Sequence, residues 1–169
     1  MKEENAKSLF LKILKKAQTK FSFRLDNFVV MENHVHLIIK PEGAEKLSRI
    51  MQWILSVFAM TYNRRFGRTG HFWGTRFFSR IINSLRQYLI ISHYIDDNPV
   101  RSGLADKPVN WKFGGAWYRR RKKRRSQDPS PHVFSIFRIN RKSLDLPRLA
   151  RRSPMRFLFR KRAPSPFSG

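Results

Sequence analysis

The chain has 169 residues, and its 36 lysines and arginines against 11 acidic residues give a formal net charge of +25. A partner with a dense run of phosphates is the simplest explanation for this charge, so we expect the protein to bind nucleic acid. The chain has no cysteine, which excludes disulfides and thiolate-held zinc. It contains no apolar run of about 18 residues and no signal-peptide pattern at the start, so we expect no membrane partner and a cytoplasmic, nucleoid-associated location.

The first two thirds of the chain predict alternating helices and strands. Residues 5–20 place apolar side chains at helical spacing, with lysines opposite. Residues 21–30 and 34–40 are two apolar runs broken at a polar pair, which predicts a hairpin. A second amphipathic helix follows over residues 47–66, and the alternation of residues 77–83 predicts a further strand.

Residues 84–97 predict a third helix, because apolar residues recur there at helical spacing. We expect it to end at Asn98, since proline disfavours the helical conformation of the residue before it and Pro99 follows. Tyr94 and Asn98 are four residues apart, so they lie on one helix face about one turn from each other. A phenol and an amide oxygen could therefore be offered to the same ion.

His34-Val35-His36 lies on the second predicted strand. Side chains at i and i+2 of a strand project to the same face, so both imidazoles could turn a nitrogen toward one cation. The alternative is a pair of histidines on the polar face of a half-buried strand. Tyr94 and Asn98 also have alternatives, a core tyrosine with a satisfied hydroxyl and a helix cap.

A basic, aromatic segment joins the second helix to the third strand. It offers phosphate contacts and ring faces on which unpaired bases could stack. The candidates for DNA contact are Arg64, Arg65, Arg68, Trp73, Arg76 and Arg80. The alternative is a solvated basic loop in which Trp73 fills the core, and the sequence favours neither. We expect His71 and His93 to be structural or to contact DNA, not to bind metal.

The chain changes character after residue 118. The remainder holds 17 of the 36 basic residues and 2 of the 11 acidic ones, without sustained periodicity. We therefore predict a folded domain over residues 1–118 and a basic, disordered tail over residues 119–169. A short apolar stretch at residues 133–137 could order on a partner. The tail is either an arm for nonspecific phosphate binding or a non-native extension from a disrupted reading frame, and we favour the extension.

Three segments in order resemble the one-tyrosine HUH transposases, and within them the REP-associated tyrosine transposases, which are related to the IS200-like enzymes. They are Asn33-His34-Val35-His36-Leu37, residues 62–73 (YNRRFGRTGHFW) and residues 94–104 (YIDDNPVRSGL). The resemblance covers about residues 5–118. It identifies residues 1–118 as an HUH transposase-like catalytic domain.

The resemblance implies an α+β fold, a ferredoxin-like antiparallel sheet with helices on one face. The histidine pair would lie on a central strand and the tyrosine on a facing helix. It also implies that Tyr94 is the nucleophile and that His34, His36 and Asn98 bind Mg²⁺ or Mn²⁺. Family members cut single-stranded DNA near a hairpin, so single-stranded hairpin DNA is the implied partner. Arg101, in the third segment, joins the candidates for DNA contact.

Family members have a strand ahead of the first helix, and only residues 1–4 precede that helix here, so we expect the first strand to be missing. Three functions stay open. We favour an active single-stranded DNA endonuclease and strand transferase over a truncated remnant that binds DNA without cutting it. An unrelated basic nucleic-acid-binding protein is the least expected, because the three segments occur in order. The oligomeric state is also open, because related enzymes include homodimers and monomers.

Overall fold

Helices and strands alternate along the chain. A computed structural model describes residues 3–74, 77–122 and 134–140, with the backbone alone for residues 122 and 134–140. The elements are α1 (Glu4–Lys20), β1 (Phe23–Val30), β2 (His34–Pro41), α2 (Leu47–Arg65), β3 (Phe78–Ile82), α3 (Leu85–Arg101), a 3₁₀ turn (Pro108–Asn110), α4 (Gly115–Lys122) and β4 (Phe134–Asn140). The three helices and three strands predicted between residues 5 and 97 are confirmed in kind and order. No helix in the described ranges is long and apolar enough to cross a membrane.

The four described strands form one antiparallel sheet in the order β1-β2-β4-β3. β1 and β2 make the predicted hairpin, in which Val30 pairs with Val35 and the Met31 N–H donates to the His34 carbonyl at 2.9 Å. The histidine strand β2 therefore has a partner on each side. The predicted α+β class is confirmed.

β4 differs from the prediction, because its residues belong to the segment expected to be disordered. It pairs with β2 from His34–Asn140 to Ile39–Ser135, and with β3 from Phe78–Arg138 to Ile82–Phe134. It thereby covers the edge of β2 that lies opposite β1. The backbone N–H and C=O groups along this edge of β2 need hydrogen-bond partners, and β4 supplies them.

β4 is a seven-residue run rich in phenylalanine and isoleucine, which are common in strands. It overlaps the apolar stretch of residues 133–137, but the arginine-rich composition around it favoured disorder over a strand. The domain boundary predicted at residue 118 lies within α4. Of the predicted tail, residues 123–133 and 141–169 lie outside the described residues.

Helices cover both faces of the sheet. The main core joins α1 and α2 to one face of β2 through Val35, Leu37 and Ile39. A second cluster joins Ile38 of β2 and Val29 of β1 to α3 on the other face. α1 and α2 form the predicted helical layer, and α3 adds a layer opposite. His34 and His36 have the same parity as Ile38, so β2 presents them to α3.

α3 continues one turn past the end predicted at Asn98. Pro99 lies inside the helix, and Gly103, with φ of 67°, follows its C-cap. The Gly103 N–H donates to the Val100 carbonyl at 3.0 Å and the Leu104 N–H to the Pro99 carbonyl at 2.8 Å. This pair of bonds is a Schellman cap, in which a left-handed glycine lets the last carbonyls find donors. Asn98 is therefore a residue within α3 and not its cap.

Candidate active site

β2 brings the two histidines together, as their spacing predicted. The ring centroids of His34 and His36 lie 4.9 Å apart. His36 is 3% exposed, whereas His34 is half-buried near the start of the strand. The pair therefore has one inner and one outer imidazole on the face that α3 covers.

α3 carries Tyr94 to this pair. Ile91 and Ile95 are buried against the sheet and anchor the helix there. The ring of Tyr94, one residue before Ile95, then lies 5.9 Å from the ring of His36, centroid to centroid and nearly perpendicular to it. A nucleophile candidate and a metal-ligand candidate from distant parts of the sequence thus meet across the sheet–helix interface.

Asn98 lies one turn after Tyr94 and is 7% exposed. Its Nδ2 donates to the backbone carbonyl of Tyr94 at 3.0 Å. This hydrogen bond uses the nitrogen end of the amide, so the oxygen is the end that could serve as a ligand.

The orientation of the His34 ring is set by its neighbour in the chain. Nδ1 of His34 lies 2.7 Å from Oδ1 of Asn33. An amide oxygen can only accept, so this contact is a hydrogen bond in the tautomer that carries its proton on Nδ1, which leaves the lone pair of a neutral ring on Nε2. Metal-binding histidines commonly use such a partner on the second nitrogen to fix the tautomer.

Arg101 is the candidate for DNA contact that lies beside the nucleophile candidate. Its guanidinium carbon is 5.7 Å from the centroid of the Tyr94 ring. The side chain is exposed, so the cation can also reach a phosphate brought to Tyr94.

The remaining arginine candidates lie at two places. Arg64 and Arg65 end α2, Arg68 follows in the next turn, and Arg80 lies on β3, all exposed. Gly67 and Gly70, with φ of 58° and 84°, shape the turn after α2. Arg76 lies outside the described residues.

Trp73 belongs to the aromatic core. Its indole N–H donates to the Leu55 carbonyl at 3.0 Å, and its ring contacts Phe10, Phe58 and Phe72. This placement favours the core alternative over base stacking, because the ring and its donor are already engaged within the fold.

The other tyrosine of α3 has a different environment. Burial raises the pKa of the Tyr88 phenol above its ordinary value, and the nearby carboxylate of Asp26 raises that pKa further. A raised pKa keeps this phenol protonated over a wider pH range. Tyr88 is therefore an internal comparison for Tyr94.

Two further histidines lie within the described residues, and their surroundings differ from those of the pair. His71 is exposed, and Nδ1 of His93 lies 2.9 Å from the Asp97 carboxylate. Within the described ranges, no three histidines, cysteines or acidic residues come together as a metal cluster. The spacing predicts a metal site of a different composition on this face, two imidazoles and one amide oxygen.

Sequence analysis missed a polar cluster that holds α3 in place. Asn27 of β1 is 1% exposed and contacts Ser92 and Asp96 of α3 and Arg119 of α4. The available signal was a polar residue next to the apolar run Phe28-Val29-Val30. Arg119 was assigned to the tail and received no structural role.

Comparisons with known proteins find a matching family and a solved structure of similar fold. The family described as "Transposase IS200 like" matches residues 1–98, which include both histidines, Tyr94 and Asn98. A solved structure of a REP-associated tyrosine transposase bound to a REP hairpin is 22% identical, with a TM-score of 0.58 over 73% of this chain and 76% of that chain. At this identity the likeness shows a shared fold. No curated protein matches the chain. The family match covers more than half of the chain, and the protein belongs to the IS200-like transposase family.

Proposed function

We propose that the protein is a metal-dependent endonuclease and strand transferase that acts on single-stranded DNA next to a hairpin. Tyr94 is the nucleophile, and His34, His36 and Asn98 are the ligands of a divalent cation. The observation that carries the proposal is the 5.9 Å approach of the Tyr94 and His36 rings, with the second imidazole 4.9 Å from the first. Membership of a transposase family supports the same chemistry.

The reaction is a transesterification at one phosphodiester. The Tyr94 hydroxyl oxygen attacks phosphorus, and the bond from phosphorus to the 3′ oxygen of the preceding nucleotide breaks. Tyr94 is left esterified to the 5′ phosphate and loses its phenolic proton to solvent, and the departing 3′ oxygen takes up a proton from solvent to become a 3′ hydroxyl. The number of phosphodiester bonds is conserved, so a second 3′ hydroxyl can reverse the step and join a new strand.

The donor set fits the proposed ion. Two neutral imidazoles and one amide oxygen suit Mg²⁺ or Mn²⁺, and the nitrogen ligands favour Mn²⁺. Bound there, the ion would withdraw charge from the phosphate and stabilise the developing alkoxide. The Asn33 contact keeps the His34 ring oriented for this role.

Exposed arginines supply the phosphate contacts in this proposal. Arg101 lies next to Tyr94 and would engage the scissile phosphate or its neighbour. Arg64, Arg65, Arg68 and Arg80 would hold the flanking strand or the hairpin stem. The solved relative with a bound REP hairpin supports hairpin DNA as the substrate class.

The test is a covalent-adduct assay with end-labelled single-stranded hairpin DNA and Mn²⁺ or Mg²⁺. We expect a protein–DNA band that survives denaturation, disappears with a chelator and is absent in Tyr94→Phe. Tyr88→Phe is the matched control, since it removes a hydroxyl from the same helix, and it should keep the adduct. DNA binding without an adduct across a set of hairpins would instead identify a DNA-binding remnant.

A further inference from the structure

A bulge in β1 aims a buried amide at the helix that carries Tyr94. The pairing of β1 with β2 shifts between Leu25–Ile39 and Asn27–Ile38, so Asp26 is an extra residue in the strand. Bulges redirect side chains and are frequent next to functional sites. The residue after this bulge, Asn27, is 1% exposed.

The Asn27 amide is hydrogen-bonded at both ends. Nδ2 donates to Oγ of Ser92 at 2.8 Å, to the Ser92 carbonyl at 3.1 Å and to Oδ1 of Asp96 at 3.0 Å. Oδ1 accepts from the Phe28 N–H at 2.8 Å and from Nη1 of Arg119 at 2.9 Å. A buried amide with this many partners has a single orientation, because any rotation would leave polar groups unsatisfied.

Arg119 of α4 hydrogen-bonds to both Asn27 of β1 and Asp96 of α3, so the three side chains contact one another across three elements. Its Nη2 donates to the second carboxylate oxygen of Asp96, while Nη1 holds Asn27. Gly115 at the start of α4 leaves room for this arrangement, since a Cβ there would lie 2.2 Å from Oδ1 of Asn27. We call Asn27, Asp96 and Arg119 the α3 clamp.

The clamp and the candidate site lie on opposite flanks of the buried face of α3. Ser92 and Asp96 are one turn apart on the flank toward β1 and α4, whereas Tyr94 and Asn98 are one turn apart on the flank toward His36. Successive helix residues are rotated by about 100°, so holding one flank fixes the rotation of the whole helix. The clamp therefore determines where the Tyr94 hydroxyl lies.

The size of this effect follows from the helix radius. A side-chain tip lies about 5–6 Å from the helix axis, so a rotation of about 15° moves it by roughly 1.5 Å. A misplacement of about 1 Å in a reacting group can cost roughly 100-fold in rate. A small rotation of α3 is enough to remove most of the activity without unfolding the protein.

We infer that Asn27 is a positioning residue, which through Asp96 and Arg119 sets the rotation of α3 and thereby the approach of Tyr94 to the histidine pair. The inference rests on the proposed function for its catalytic consequence. Its structural part, the control of α3 by Asn27, can be measured separately.

The experiment compares the parent, Asn27→Ala, Asn27→Asp and the exchange variant Asn27→Asp/Asp96→Asn. At saturating hairpin DNA, we expect Asn27→Ala to form the Tyr94 adduct 10- to 100-fold more slowly, with DNA affinity within threefold of the parent. Asn27→Asp places two carboxylates together and should be as slow. The exchange variant restores one amide and one carboxylate facing Arg119, so its rate should return to within fivefold of the parent.

The matched control is Asn63→Ala, which also removes an asparagine that donates to a backbone carbonyl, that of Gly70 at 2.9 Å, but away from α3. It should react at the parent rate. Asn27→Ala reacting as fast as the parent, or an exchange variant no faster than Asn27→Asp, would overturn the inference.

Hydrogen exchange without DNA separates the two claims. In Asn27→Ala, amides of residues 91–98 should exchange at least tenfold faster, whereas those of α1 should be unchanged. If the parent forms no adduct, the proposed function fails, and the exchange rates alone decide the clamp. Unchanged exchange in α3 would overturn it.

Discussion

His36 is the residue on which the proposed site depends most, because its ring contacts both His34 and Tyr94. We predict that His36→Ala lowers the affinity for Mn²⁺ at least tenfold, since even supporting residues of metal sites contribute roughly 10- to 100-fold. Electron paramagnetic resonance of added Mn²⁺ measures this. His93→Ala is the control, as His93 is exposed and pairs with Asp97 instead. Equal Mn²⁺ affinity in the parent and His36→Ala would exclude this ligand.

Arg101 is a second residue of the proposed site whose contribution can be measured. We predict that Arg101→Ala slows adduct formation about tenfold, because it removes a cation next to the phosphate at which charge develops. Arg101→Lys should recover part of the rate, since it keeps the charge but loses the planar fork. Single-turnover kinetics measure both. Arg121→Ala, which removes an arginine stacked on Trp117, is the control and should leave the rate unchanged.

For individual residues, the sequence predicted which side chains lie together within one helix or strand. His34 and His36 share a strand face, and Tyr94 and Asn98 share a helix face, because a local period fixes each pair. Spacing alone could not predict that the two pairs meet, since their distance depends on how α3 packs against the sheet. The role of Asn27 was hidden for the same reason, because its partners lie 65 to 92 positions away in sequence.

Among the helices and strands, β4 is the element that local composition did not predict. Its flanks are arginine-rich, and its place in the sheet is set by the open edges of β2 and β3, which no local pattern records. The end of α3 was predicted too early for a different reason, because two stop signals compete there. Proline at position 99 and glycine at position 103 are both helix-stop signals, and the glycine determines the end because it forms the complete cap.

A pair of truncations tests the contribution of β4. A chain ending at Lys122 lacks the strand, whereas a chain ending at Asn140 keeps it and still loses residues 141–169. We predict that the shorter chain melts at least about 4 °C below the longer one, which corresponds to on the order of 1–2 kcal/mol at this size. The chain ending at Asn140 should melt near the full-length protein. Equal melting temperatures for the two truncations, measured by circular dichroism, would show that β4 does not stabilise the sheet.

For the molecule as a whole, the net charge of +25 predicts that affinity for DNA depends strongly on salt. We predict that affinity for a single-stranded hairpin falls roughly 100-fold between 50 and 200 mM salt, the change expected for about five phosphate contacts on single strands. Fluorescence anisotropy across this range measures the slope. Arg64→Ala/Arg65→Ala should flatten it, whereas Lys12→Ala/Lys16→Ala on α1 should leave it unchanged. Identical slopes for both double variants would place the phosphate contacts elsewhere.

We expect Tyr94 itself to become joined to DNA, and peptide mapping of the adduct identifies the modified residue. Nuclease trimming of the adduct, trypsin digestion and tandem mass spectrometry would examine the peptide of residues 87–101, which holds both tyrosines of α3. We expect a 5′-phosphonucleotide on Tyr94 and an unmodified Tyr88. A modification on Tyr88 or on any other residue, or a cleaved strand with no protein attached, would contradict it.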